Sequence, residues 1–174
     1  MKKEKIEELL VAAVKASLKA GEDILEVYNS DFSVEHKDDK SPLTMADKKA
    51  HNTIVAELID TKLPVLSEEG KSIPFEERKD WSHFWMVDPL DGTTNFIHGI
   101  PQFAVSIGLC KDKVPILGVV YDPFKNELFC AEKGKGALMN EKKIRVAKCS
   151  SIKKAVFGTG IPYRKKDYSG EYIE

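Results

Sequence analysis

The chain has 174 residues, 42% of them hydrophobic and 32% charged, with a formal net charge of −1. That is the composition of a globular protein with a sizeable core. So balanced a charge removes the electrostatic case for nucleic acid or an anionic membrane as a partner. Three cysteines, Cys110, Cys130 and Cys149, lie far apart with no CxxC pair. They predict reduced thiols and a cytoplasmic setting rather than a disulfide framework.

The N-terminal stretch "MKKEKIEELLVAAVKASLKAG" carries lysines, but its longest apolar run, Leu9 to Val14, follows Glu7 and Glu8. That run is too short for the hydrophobic region of a signal peptide, and no stretch approaches a membrane span. Ile6, Leu9, Leu10, Ala13, Ala20, Ile24, Leu25 and Tyr28 recur at helical spacing. They predict one amphipathic helix over 4–28, with Gly21 weakening its middle.

Residues 29–43 are polar and turn-rich, a loop with room for one short strand. A second helix is expected over 44–61. Thr44 stands as its N-cap, Asp47 occupies the third helical position, and Ala50, Ile54, Leu58 and Ile59 form its apolar stripe. Pro64 to Ser67 reads as a short strand running into "SEEG", and 71–83 as charged, irregular chain. Phe84 to Val87 is a buried strand.

Beyond it the pattern is β. "FAVSIGLC", "PILGVVYD" and "ELFCAEKG" are strand-like runs separated by the turns "KDKV", "DPFKN" and "GKGA". Residues 143–146 and 154–159 are candidates for two more strands. Two helices followed by a strand-rich body make an α+β fold, with layered helices packed on a mostly antiparallel sheet. The last eleven residues, "RKKDYSGEYIE", are polar and read as a tail.

The stretch "FWMVDPLDGTTNF", residues 84–96, carries the chemistry. A buried strand ends in Asp88 and Asp91, where two acids repel each other in a poorly solvated place and call for a cation. Glu68 and Glu69 follow the neighbouring strand, so adjacent strand ends would gather these carboxylates. Oxygen ligands without clustered His or Cys suit Mg²⁺, Mn²⁺ or Ca²⁺ rather than Zn²⁺. The Leu90 carbonyl lies between the two acids. Gly92, Thr93 and Thr94 open a turn or short helix whose free amides suit a phosphate. A capped turn with solvated acids is the plain alternative. The covalent Asp-x-Asp-Gly-Thr motif of haloacid dehalogenase phosphatases does not transfer, because "DPLDGT" separates its acids by two residues.

"DPLDGTTNFIHGIPQFAVSIGL" resembles the signature of the inositol monophosphatase family of Mg²⁺-dependent, lithium-sensitive phosphatases. "SPLTMAD", "VLSEEG", "GVVYDPFKNELFCAEKGKGA" and "GTGIPY" match in the same order, so that the resemblance covers residues 1–163. It implies that the chain forms the first half of an α/β/α/β/α sandwich. It also implies that Glu68, Asp88, Asp91 and the Leu90 carbonyl hold Mg²⁺, for which Mn²⁺ can substitute. Asp47 and Thr93 match the pair that orients and deprotonates the attacking water, with no phosphoenzyme. The amides of Gly92 and Thr93 would hold phosphate oxygens, and Glu68, Leu90 and Asp91 would also face the substrate, a small phosphorylated metabolite.

Structural roles compete with these. Asp47 completes a capping box with Thr44, and Thr93 suits an N-cap. Glu69 fits a solvated neighbour, His98 a surface loop, and Trp81 and Trp85 packing near the strand. Two substrate branches compete as well. "DKSPLTMADKKAH" and "LPVLSEE" resemble the adenosine bisphosphate nucleotidases of sulfur assimilation, whereas Thr94-Asn95-Phe96 followed by "IHGIP" resembles the inositol monophosphatase branch. The latter residues flank the phosphate site and favour inositol monophosphate.

Family members continue well beyond "GTGIPY", into a Trp-Asp segment whose aspartate completes the metal site. The resemblance therefore implies either a fragment of a longer enzyme, one capable of forming a homodimer, or a naturally shortened chain. In the second case a non-catalytic metal- or phosphate-binding module is the rival function. The expected domain is 1–163, followed by a tail over 164–174. On its own the chain is expected to be marginally stable, to self-associate and to be nearly inactive.

Overall fold

The computed structural model describes residues 3–30, 34–36 and 42–158. The tail expected over 164–174 lies outside them, as does most of "GTGIPY". Residues 1–144 form one compact unit and 145–174 a second. The sheet and all the α-helices described here belong to the first. Among the described residues no helix is long and apolar enough to cross a membrane.

Helix α1 spans Lys3–Tyr28 and buries Leu9, Ala13, Ala16, Ala20, Ile24 and Val27 along one face. Gly21 does more than loosen it. A Cβ there would stand 2.4 Å from Cε1 of Tyr121, so the helix backbone rests on a ring of the sheet where no side chain fits between them. Two short strands, β1 (Val34–His36) and β2 (Pro42–Thr44), pair antiparallel where one had been expected.

Helix α2 follows over Met45–Leu58 and tightens into a 3₁₀ turn at Ile59–Thr61. Its stripe of Ala46, Ala50, Ile54 and Leu58 joins the face of α1 in one core. Lys15 and Lys19 pair with Glu57, and Lys49 with Asp23 and Glu26, along the outer seam between the two helices.

The sheet has seven strands in the order β3-β4-β5-β6-β7-β8-β9. They are β3 (Val65–Ser67), β4 (His83–Asp91), β5 (Ala104–Lys111), β6 (Val114–Asp122), β7 (Glu127–Glu132), β8 (Gly136–Met139) and β9 (Lys142–Ile144). Only β3 and β4 run parallel; each other neighbouring pair is antiparallel. Sequential antiparallel strands need only short turns, which explains the "KDKV" and "DPFKN" spacers. Alternation then sends Trp85, Val87, Val105, Ile107, Leu109, Leu117, Val119 and Tyr121 into the core beneath α1 and α2. The α+β layering expected from the element order is the observed one.

Four local readings change. Strand β4 does not stop at Val87 but continues through both acids to Asp91, with an irregular register between Asp88 and Asp91. Pro89, which has no N–H to give a ladder, sits at that irregularity. The "GKGA" turn is shorter than expected, because Gly136 already begins β8. A four-residue helix, α3 (Phe75–Arg78), lies inside the segment read as irregular. Residues 152–154 form a 3₁₀ turn, and 155–158 carry no strand; Val156 and Phe157 are exposed rather than paired.

Candidate active site

Asp47 is placed by its own helix start. Thr44 ends β2 in extended conformation and caps α2, its hydroxyl accepting from the amides of Ala46 and Asp47. The carboxylate of Asp47 folds back, and Oδ2 accepts from the Thr44 amide at 2.8 Å and the Thr44 hydroxyl at 2.6 Å. The capping-box expectation therefore holds. It is no rival to a role in the site, because the other oxygen, Oδ1, lies 3.1 Å from the hydroxyl of Thr93.

Thr93 is brought there by a turn that only glycine permits. Gly92 has φ +93°, and a Cβ on it would lie 2.7 Å from the carbonyl oxygen of Gln102. This turn ends β4 and starts the short helix α4 (Thr93–Ile97). The helix is held by Phe96, which packs with Phe103 and Tyr28 at ring-centroid distances of 5.3 Å. The Thr93 hydroxyl also lies 3.0 Å from the Leu90 carbonyl oxygen, so its single proton has two acceptors.

Asp88 and its neighbour Glu68 are joined to Thr93 through Leu90. The Leu90 amide donates to Asp88 Oδ1 at 3.2 Å. Burial, then the charges of Glu68 and of Asp91, push the Asp88 carboxyl up to about 7, against the pull of the Leu90 amide. Asp88 and Glu68 also meet by a side-chain hydrogen bond. Parallel pairing sets this contact, because Ser67 lies opposite Val87 and puts Glu68 beside Asp88. The Glu68 amide donates to the Val87 carbonyl at 3.0 Å.

Among the described residues no three acids, imidazoles or thiols are already gathered for a metal ion. The chemistry of the donor set nevertheless fits a hard divalent cation. All the donors are oxygens, and burial, then the charges of Glu68 and Asp91, drive the Asp88 carboxyl toward holding a proton.

Of the other residues weighed, Glu69 is half-buried and His98 exposed. Trp85 is fully buried, its indole N–H donating to Thr61, and Trp81 packs on Phe84. Both tryptophans are packing residues. The sequence reading passed over His51, one turn after Asp47 on α2. Its Nδ1 lies 2.8 Å from the Ser67 hydroxyl, beside Glu68. The i, i+4 spacing from Asp47 was the available signal, but the partner on β3 is visible only in three dimensions. Beside Asp91 and Gly92 opens a cleft of about 450 Å³, lined also by Asn95, Gln102, Asp122 and Lys125.

The profile of the inositol monophosphatase family matches residues 5–172. An inositol-1-monophosphatase of Mesorhizobium japonicum is 40% identical over 171 residues, which is 95% of this chain and 62% of that protein. The crystal structure of the extragenic suppressor protein SuhB from Bartonella henselae superposes with a TM-score of 0.83 at 38% identity, covering 95% of this chain and 63% of that one. CysQ from Bacteroides thetaiotaomicron, described as a bacterial member of the same family, superposes at 0.68 with 42% identity, over 83% of this chain and 53% of its own. The chain thus spans less than two thirds of the length of these relatives.

Proposed function

The chain belongs to the inositol monophosphatase family, and we propose that it carries the water-activating and cation-holding residues of a phosphomonoesterase acting on a small phosphorylated metabolite, inositol monophosphate. The observation that carries this reading is the contact of Thr93 with Asp47, residues 46 apart in sequence, joined through Leu90 to the acid pair Asp88 and Glu68. A half-buried hydroxyl held between a carboxylate and a carbonyl, close to an acid pair, suits the orientation of a water nucleophile.

In this reading the Thr93 hydroxyl donates to Asp47 Oδ1 and turns its lone pairs toward a water. That water's proton passes to the Thr93 oxygen as the Thr93 proton moves to Oδ1. Glu68, Asp88, Asp91 and the Leu90 carbonyl would hold Mg²⁺ or Mn²⁺. Such an ion, when bound, polarises the phosphate, lowers the pKa of water and stabilises the leaving alkoxide. The first amides of α4, from Gly92 and Thr93, supply donors for phosphate oxygens, because a helix start leaves its N–H groups without intrahelical partners. Polar groups of the adjoining cleft, Asn95 and Lys125 among them, offer hydrogen bonds to a hydroxylated substrate.

The test is Mg²⁺-dependent phosphate release by a form of the enzyme with the full length of its relatives. Asp47→Asn and Thr93→Ala should each lower kcat by about 10²–10⁴ with little change in KM, since each acts chiefly in the transition state. Normal turnover in both variants, or an acid-stable phosphoenzyme, contradicts the mechanism. The "DKSPLTMADKKAH" block supports adenosine bisphosphate as the second substrate reading, and comparing kcat/KM for the two compounds decides between them.

A further inference from the structure

We propose that Thr44 is a positioning residue of this site: its hydroxyl locks the Asp47 carboxylate so that Oδ1 alone faces Thr93. The inference rests on reading Asp47 and Thr93 as the water-activating pair, and adds a third member to it.

An ordinary capping box needs two things. The cap hydroxyl accepts from the helix amides, and the third-position side chain accepts from the cap amide. Thr44 and Asp47 satisfy both. The structure adds a contact the box does not require, the Thr44 hydroxyl 2.6 Å from Asp47 Oδ2. The proton bookkeeping fixes its direction. The hydroxyl oxygen accepts from the amides of Ala46 and Asp47 at 3.1 and 3.4 Å, which leaves its one proton free to donate. Oδ2 accepts only, so the proton goes there.

Oδ2 thus takes two hydrogen bonds from one residue, Thr44 N–H and Thr44 O–H, and both residues are 1% exposed. Rotating the carboxylate would break both bonds in a place where water cannot replace them. The backbone of Thr44 is itself held in the β1–β2 ladder opposite Val34. One acceptor position remains, Oδ1, and it is the one that meets Thr93 at 3.1 Å. Of the two acceptors around the Thr93 hydroxyl, the Leu90 carbonyl and Asp47 Oδ1, only the carboxylate oxygen is basic enough to take the proton, and its position is fixed.

Helix capping alone predicts that losing the hydroxyl lowers stability and nothing else. The experiment separates the two roles in the full chain with ¹³C-methyl-labelled threonine, where the Thr93 methyl resonance reports the partner of its hydroxyl. Asp47→Asn marks the resonance of the altered pair. Thr44→Val, nearly the same shape without the hydroxyl, should move the Thr93 resonance most of the way to that mark. Thr44→Ser, which keeps the hydroxyl, should leave it at the wild-type position. Phosphate release is read alongside. Thr44→Val should lower kcat by about tenfold or more with KM within about twofold, and Thr44→Ser should restore it.

A wild-type Thr93 resonance in folded Thr44→Val, with only a lower unfolding midpoint, overturns the proposal. Should Thr44→Val fail to fold, Thr44→Gly, which is tolerated at an N-cap and brings no side-chain donor, is read the same way. Where Asp47→Asn turns over normally, the water-activation reading fails, and the Thr93 resonance still decides whether Thr44 orients Asp47. Where Asp47→Asn is dead and Thr44→Val fully active, that reading stands and Thr44 is only a cap.

Discussion

Asp47 is 1% exposed, and both its carboxylate oxygens have donors, two from Thr44 and one from Thr93. Asp88 is less buried, yet it stands against Glu68 and Asp91 with a single backbone donor, the Leu90 amide. The two acids are linked through Thr93 and Leu90, so the difference is built in by their neighbours. One carboxylate is furnished with everything an anion needs from the protein itself. The other is furnished with more negative charge and is driven to hold a proton. The lesson is that burial alone does not raise a carboxyl's pKa; burial beside like charge does.

The comparison breaks most visibly in stability. Asp47→Ala leaves the Thr44 amide and hydroxyl buried without their acceptor and should cost about 2–4 kcal/mol. Asp88→Asn removes a repelled charge, and in metal-free buffer at neutral pH it should raise stability instead. Urea unfolding of the two variants side by side checks the opposite signs. Equal losses in both would erase the distinction.

Gly92 joins the two groups, standing between Asp91 and Thr93. Gly92→Ala forces a Cβ to 2.7 Å from the Gln102 carbonyl at φ +93°. It should cost about 1–3 kcal/mol and move Thr93 away from Asp47. An unchanged unfolding midpoint would show that the turn has room to relax.

The gentlest test is pH. The Asp88 carboxyl rises from an ordinary value of 3.8 to about 7 on folding, so between those values the folded chain binds more protons than the unfolded one. Its contribution to stability is therefore full below about pH 4 and declines as pH rises to about 7, with no further change above. In Asp88→Asn the downward slope should be lost or reversed, since His51, whose pKa burial lowers, contributes with the opposite sign, as measured by urea unfolding in metal-free buffers across the window. A downward slope equal to that of the wild type would place the titrating group elsewhere.

Much of the frame was legible because it obeys one-dimensional periods. The 3.6-residue stripe of α1 and the alternation of β5 and β6 depend on neighbours a few residues away. What was hidden depends on partners far along the chain. Gly21 looks like a flaw in a helix until Tyr121, 100 positions later, fills the space where its side chain would be. Strand β4 looks finished at Val87 because an acid and a proline follow, but pairing with β5 resumes at Asp91 opposite Ala104. Gly136 reads as turn and serves as the first residue of β8 opposite Glu132. In the site, Asp88, Asp91 and Thr93 were visible as a spaced motif. The resemblance named Asp47 beside them and the capping pattern joined it to Thr44, but nothing in the sequence pointed to the Thr44 hydroxyl donating to Asp47 Oδ2 or to the link of His51 to Ser67.

The central claim is that the unanswered charge around Asp88 is a site for a divalent cation. It is tested most directly by calorimetric titration of Mg²⁺ and Mn²⁺ into the wild-type chain and Asp88→Asn, at about pH 6 in buffers of different ionisation enthalpy. The account predicts that the wild type binds with release of a proton to the buffer, and that Asp88→Asn binds at least about tenfold more weakly without that release. Equal affinity in the two proteins, with no buffer-dependent heat in either, would contradict it.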